Sequence, residues 1–303
     1  MGVAPLPTDP AFDRRAWLPL RLLNGTSLDA PIVAASWFVL LTVGQDESID
    51  ASLTRDWNRD TLTLAVLSMT VWLIYSGDRL LDLRRLDFNR AVSPQHRFAN
   101  RWKVPMVAAW LIVLAVDAVV TLVALPREVV VFGMGLLVIV VVYMLVAHVI
   151  EPLRRKLPKE IFVGFIFACG VAGPLAAQAR LADWPQITGF LAGLFSMNCL
   201  LVSIVQERID REQTTPSLTV AWPAVRKRLP VCGWILMSLV AVSMLGGRIQ
   251  TLPAAAIIIS LAATVRLMLV ALRRRDRPVW ISYAADLVLM VVPAFFSCLA
   301  SIG

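Results

Sequence analysis

The chain is short of charge: Asp, Glu, Lys and Arg make up 17% of its 303 residues, where a soluble domain carries about 25%. It has two histidines, three tyrosines and four cysteines. The cysteines, at 169, 199, 232 and 298, lie inside apolar runs without the paired spacing of a zinc site or a disulfide framework. Free thiols packed as small apolar groups account for them. So little charge excludes a disordered chain and a water-soluble Rossmann or barrel enzyme. The apolar stretches also lack the alternation of a membrane β-strand, which excludes an outer-membrane type of barrel. Residues 1–25 contain no continuous apolar core of the signal-peptide kind, so the first apolar segment is expected to remain in the protein.

What is abundant is apolar matter, 58% of residues at a mean hydropathy of +0.72. At about 20 residues per crossing, that suffices for about nine membrane helices. Nine apolar segments can be drawn: Ala30 to Val43, Leu62 to Ser76, Val104 to Ala124, Val129 to Ile150, Ile161 to Ala179, Ile187 to Val205, Leu229 to Leu245, Leu252 to Leu272 and Val279 to Ala300. Inside hydrocarbon every backbone polar group must be satisfied internally, so these segments are expected to be helices. The expected fold is an all-α bundle of nine transmembrane helices over residues 29–303, preceded by a polar segment at 1–28.

The charge that exists is lopsided, 29 Lys and Arg against 21 Asp and Glu. In a soluble protein a net charge of +8 would suggest nucleic acid. Here 23 of the cations fall before the first segment and after the second, fourth, sixth and eighth, while the alternate loops hold five and Arg266 lies within a segment. This asymmetry places the N-terminus in the cytoplasm and the C-terminus outside, in an inner cell membrane. Topology absorbs the positive charge, and nucleic acid drops out as a partner in favour of the lipid bilayer.

Two groups of acids stand against that positive face. At the end of the second segment, Asp78 and Asp82 are four residues apart and share a face if the helix continues. At the end of the sixth, Glu207 and Asp210 are three apart and are expected to do the same. Carboxylates on two helix ends at one membrane face can hold a hard cation such as Mg²⁺, which takes oxygen ligands and substrate phosphates. Between them in sequence comes Glu151-Pro-Leu-Arg154-Arg155-Lys156-Leu-Pro158-Lys159-Glu160, cations at the start of a helix, where the dipole and free amides also favour an anion. A small-residue run from Ala168 to Pro174 follows. Taken singly, interfacial ion pairs and ordinary topology explain each element; their placement on one side is what points to a site.

In this order on nine segments, the three elements resemble the UbiA superfamily of intramembrane prenyltransferases. The resemblance runs from the second segment to the ninth. It implies two pseudo-repeated halves, each with an acidic motif at the cytoplasmic end of its second helix. Glu207-Arg-Ile-Asp210 is similar to the second motif, with Glu212 nearby and Thr214 where a further Asp often stands. Asp78 and Asp82 match the last two acids of the first, while Ile74 and Tyr75 replace its leading Asn and Asp. The resemblance implies that Asp78, Asp82, Glu207 and Asp210 hold Mg²⁺ and carry catalysis. Lys159, Arg154 and Arg155 would neutralise an isoprenyl diphosphate, and Tyr75 would contact the substrate. The activity implied is transfer of the isoprenyl group to an aromatic or lipid acceptor; a cyclase or hydrolase of the same diphosphates is the nearest alternative, and a secondary transporter with buried charges is another.

Three further charged residues lie deep in segments: Asp117, Arg266 and Asp286. Intramembrane charges generally need a partner, so an Arg266–Asp286 ion pair is expected. His96 is a candidate general base in a loop, and His148 is expected at the interface.

Overall fold

The computed structural model describes residues 18–44, 57–150, 158–215, 217–274 and 279–301. Among these residues every regular element is an α-helix. In chain order they are α1 (Leu18–Gly25), α2 (Asp29–Val43), α3 (Trp57–Asp82), α4 (Pro94–Arg101), α5 (Lys103–Ala124), α6 (Arg127–His148), α7 (Lys159–Ala177), α8 (Trp184–Glu212), α9 (Leu218–Ala221), α10 (Pro223–Leu245), α11 (Thr251–Arg273) and α12 (Trp280–Ala300). Eight of them are long and apolar enough to cross a membrane, and the protein is an all-α polytopic bundle.

The ninth expected span is different. α2 has 15 residues, about 22 Å of helix, short of about 30 Å of hydrocarbon. Its partner α1 meets it at 97°, and only the bent pair counted together makes a ninth span. The bend is tied to α3: Trp72 Nε1 donates to the Thr26 carbonyl at 2.9 Å, and the Arg79 guanidinium donates to the carbonyls of Asn24 and Gly25. These bonds satisfy carbonyls that the end of α1 leaves without intrahelical partners.

The core is built where α7 and α8 pack along each other, with α2, α3, α11 and α12 around them. Ala168, Val171, Ala172 and Leu175 of α7 and Leu191, Leu194, Leu201 and Ile204 of α8 are fully buried there. Small residues let the two backbones approach, since without a hydrophobic drive in lipid it is packing that associates helices. At Gly164 a Cβ would lie 2.3 Å from Ser196 Oγ and 2.5 Å from its backbone nitrogen. By contrast α5, α6 and α10 turn large apolar side chains outward, among them Val104, Leu122, Val123 and Leu245. A contiguous apolar exterior of this kind faces lipid.

Two helices run beyond their apolar segments in the way the acidic motifs need. α3 continues from the expected end at Ser76 through Asp82, and α8 continues from Val205 through Glu212. Nothing in either stretch breaks a helix. Gly77 is kept in α3 beside the Trp110 indole, whose nitrogen caps the Leu73 carbonyl at 2.9 Å. At 29 residues α8 is about 43 Å long, so its last turns project past the hydrocarbon at the arginine-rich end.

Of the deep charges, Asp117 on α5 accepts a hydrogen bond from Thr70 Oγ1 of α3 at 3.0 Å. The expected Arg266–Asp286 pair does not form: Arg266 is exposed on α11, whereas Asp286 lines an internal cavity and accepts from Asn198 Nδ2 at 3.3 Å. Similar depth on consecutive helices was not enough, because the two side chains lie on different faces.

Candidate functional site

Helix periodicity places Asp78 and Asp82 on one face of α3, and that face is met by His148 at the C-terminal end of α6. His148 Nε2 lies 2.8 Å from Asp78 Oδ1, and its Nδ1 is 3.9 Å from Asp82 Oδ1. A second imidazole comes from the short helix α4, with His96 Nε2 3.5 Å from Asp82 Oδ2. The opposite nitrogen of His96 is held by Ser93 Oγ at 2.6 Å. Both histidines of the chain therefore meet the first acidic pair. His148 had been expected only at the interface; its position at the same membrane face as Asp78 was the available signal.

The second motif is brought alongside by the loop that follows α3. Gln213, just past α8, accepts from the Asp87 backbone N–H at 3.0 Å and donates to the carbonyls of Asp87 and Ala91, each at 2.9 Å. Arg90 adds a bond to the Glu212 carbonyl at 2.7 Å. The loop after one motif is thus clasped to the helix end that carries the other.

Within that second motif the two acids part company. Asp210 lines a cavity of ≈ 280 Å³ together with Asp78 and Asp82. Glu207 does not. It is 5% exposed, and its carboxylate is taken by Arg211 Nη2 at 2.7 Å and Arg226 Nη1 at 2.5 Å. Three helical residues rotate a side chain to about 60° from the first, enough here to put one acid on the cavity wall and the other against α10. The expected shared face of Glu207 and Asp210 is corrected accordingly.

Lys159, the first residue of α7, lines the same cavity and lies within electrostatic reach of Asp210, Asp82 and Asp78. Arg154 and Arg155 lie outside the described residues. Glu160, buried next to Lys159, accepts from the Leu218 backbone N–H at 3.0 Å and so ties the start of α7 to α9. Tyr75 stands one turn before Asp78 in the cavity wall, its ring edge-on to Phe167 at 6.1 Å, with Phe167 in turn edge-on to Phe195 at 4.7 Å. An aromatic and aliphatic wall therefore begins directly below the acids.

Oxygen donors from Asp78, Asp82 and Asp210 suit a hard divalent cation. They do not form a closed cage: among the described residues no three His, Cys, Asp or Glu side chains converge to hold a metal. That is compatible with Mg²⁺, which keeps several waters and is usually held by one or two carboxylates plus substrate phosphate. No known protein family, curated protein or solved structure matches this chain. What the site can do must be argued from its own residues.

Other cavity residues had no pattern to announce them. Asp29 begins α2, Asn198 lies in the middle of α8, and Ser282 and Asp286 are on α12. They are separated by up to 257 positions and meet only through the packing of three helices.

Proposed function

We propose that this protein is a Mg²⁺-dependent intramembrane prenyltransferase, moving an isoprenyl group from an allylic diphosphate to an acceptor in the same cavity. The observation that carries this reading is that Asp78 and Asp82 from α3, Asp210 from α8 and Lys159 from α7 line one cavity together with the aromatic rings of Tyr75, Phe167 and Phe195. Such a site has one end for a highly charged diphosphate and one for an apolar tail. The likeness of the acidic motifs to the UbiA superfamily supports the same activity, with Glu207 now assigned to structure. The arginine-rich face would lie in the cytoplasm, with the N-terminus on that side and the C-terminus outside the inner membrane.

In this reading one or two of the carboxylates of Asp78, Asp82 and Asp210, with substrate phosphate and water, would hold Mg²⁺, which when bound neutralises charge on the leaving diphosphate. Lys159 adds a fixed positive charge to the same group. His148 and His96 orient Asp78 and Asp82 through the contacts described above. The allylic C–O bond breaks, diphosphate departs, the acceptor's nucleophilic atom bonds to the allylic carbon, and the acceptor loses a proton. Tyr75, Phe167 and Phe195, in the cavity lining, would keep water from the electron-poor carbon, and a ring face turned to it would stabilise its charge.

The test is turnover of a radiolabelled allylic diphosphate by the full chain in nanodiscs, with an aromatic acceptor or a lipid extract. Label is expected to move into a lipophilic acceptor product only with Mg²⁺, and Asp82→Asn is expected to lower the rate by about 100-fold or more. Diphosphate release without an acceptor product would replace transfer by cyclisation or hydrolysis. Absence of both release and product with every donor length would overturn the proposal.

A further inference from the structure

Besides Asp82 and Asp210, the cavity is lined by polar residues that the transfer chemistry leaves without a role. Ser282 and Asp286 are one turn apart on α12 and both line the cavity. Asn198 of α8 and Asp29 of α2 line it too. Asn198 donates its amide to Asp286, and Asp29 Oδ2 accepts from Asn24 Nδ2 at 2.8 Å. Three buried atoms are then left without a hydrogen-bond partner: Asp29 Oδ1, Asn198 Oδ1 and Ser282 Oγ. Ser282 is 6% and Asn198 9% exposed, so open solvent does not satisfy them.

A buried polar atom without a partner costs about 1–3 kcal/mol, and three acceptors on one cavity wall can be satisfied together by the donors of a ligand. All three accept hydrogen bonds. Asp29 and Asp286 are two acids brought together in this wall: they lie within electrostatic reach of each other and of Arg79, whose N–H groups are turned to the Asn24 and Gly25 carbonyls, while Arg21 reaches Tyr283. Beside them stand Tyr75 and Tyr283 in the cavity lining, and aromatic faces attract organic cations.

We propose that Asp29, Asp286, Asn198 and Ser282 form a binding site for an organic ammonium group, its N–H bonds directed at the three unpartnered acceptors and its charge matched by the two carboxylates. A carboxylate-bearing ligand is disfavoured there by repulsion. The site does not depend on prenyl transfer, and if transfer holds it selects an amine-bearing acceptor over an acidic one.

The test uses the purified full chain in neutral detergent at pH 7, with benzylamine, benzyl alcohol and benzoate as matched probes of thermal unfolding. Benzylamine is expected to raise the midpoint saturably, while benzoate and benzyl alcohol do not. Asp286→Asn should weaken its apparent affinity by about tenfold or more, the loss of one charge-assisted hydrogen bond, and Ser282→Ala should weaken it by a smaller factor. Asp210→Asn should leave the benzylamine response in place while removing any response to Mg²⁺ with an allylic diphosphate, so the two proposals fail separately. An equal shift from benzyl alcohol, from benzoate or from Na⁺ alone would overturn the ammonium site. So would an unchanged benzylamine affinity in both variants.

Discussion

Glu207 and Asp210 show how three residues of separation can divide structure from chemistry. Both are acids at one helix end, and spacing alone assigned them the same role. Glu207 is enclosed by Arg211 and Arg226, so it is an anchor between α8 and α10. Replacing it with Gln keeps the shape and removes the charge from two ion pairs. Glu207→Gln is therefore expected to cost about 1.5–3 kcal/mol of stability, the range for hydrogen bonds to charged groups, read as a lower thermal midpoint. Catalytic turnover per folded molecule should persist, whereas a metal-binding Glu207 would show the reverse. Asp78 and Asp82 were legible because four-residue spacing is a direct consequence of helix geometry. His148 was not, since 66 positions separate it from Asp82 and only tertiary packing joins them. Asp286 was legible as a suspect, being charged within an apolar run, but its partner Asn198 carried no sequence signal.

At the scale of helices, the apolar runs forecast the existence of the spans far better than their ends. The extension of α3 and α8 past the hydrocarbon decides where the acids stand, and apolar counting stops short of it. The short helices α1, α4 and α9 were missed altogether, because eight or four residues are too few for a periodic apolar stripe to declare itself. The small-residue run from Ala168 to Pro174 was read as part of a family motif; physically it belongs, with Gly164 one turn earlier, to the close seam between α7 and α8. Gly164 lies at the tightest point, where an added Cβ would be 2.8 Å from Ser196 Cα as well as close to its nitrogen. Backbone cannot rotate aside as a long side chain can. Gly164→Ala is therefore expected to destabilise the protein by about 1–3 kcal/mol, the usual cost of overpacking. A thermal midpoint equal to wild type would show that the seam is looser than these distances say.

For the whole molecule, the net charge of +8 gives a misleading picture of the interior. Among the described residues the cavity is lined by Asp29, Asp78, Asp82, Glu160, Asp210 and Asp286 against Arg79 and Lys159. In the proposed function a divalent cation offsets these acids so that a diphosphate can bind. The fold class, an all-α membrane bundle, was readable from composition and the apolar runs. The negative interior was not, because it assembles from α2, α3, α7, α8 and α12, which no local pattern connects. The central claim is that three of these carboxylates admit a diphosphate through Mg²⁺, and equilibrium binding of a radiolabelled allylic diphosphate to the full chain in nanodiscs tests it most directly. Binding is expected to require Mg²⁺ and to weaken by about 100-fold in Asp210→Asn, some 2.8 kcal/mol at about 1.4 kcal/mol per tenfold. Binding that is equally tight in excess chelator, or unchanged in Asp210→Asn, would contradict it.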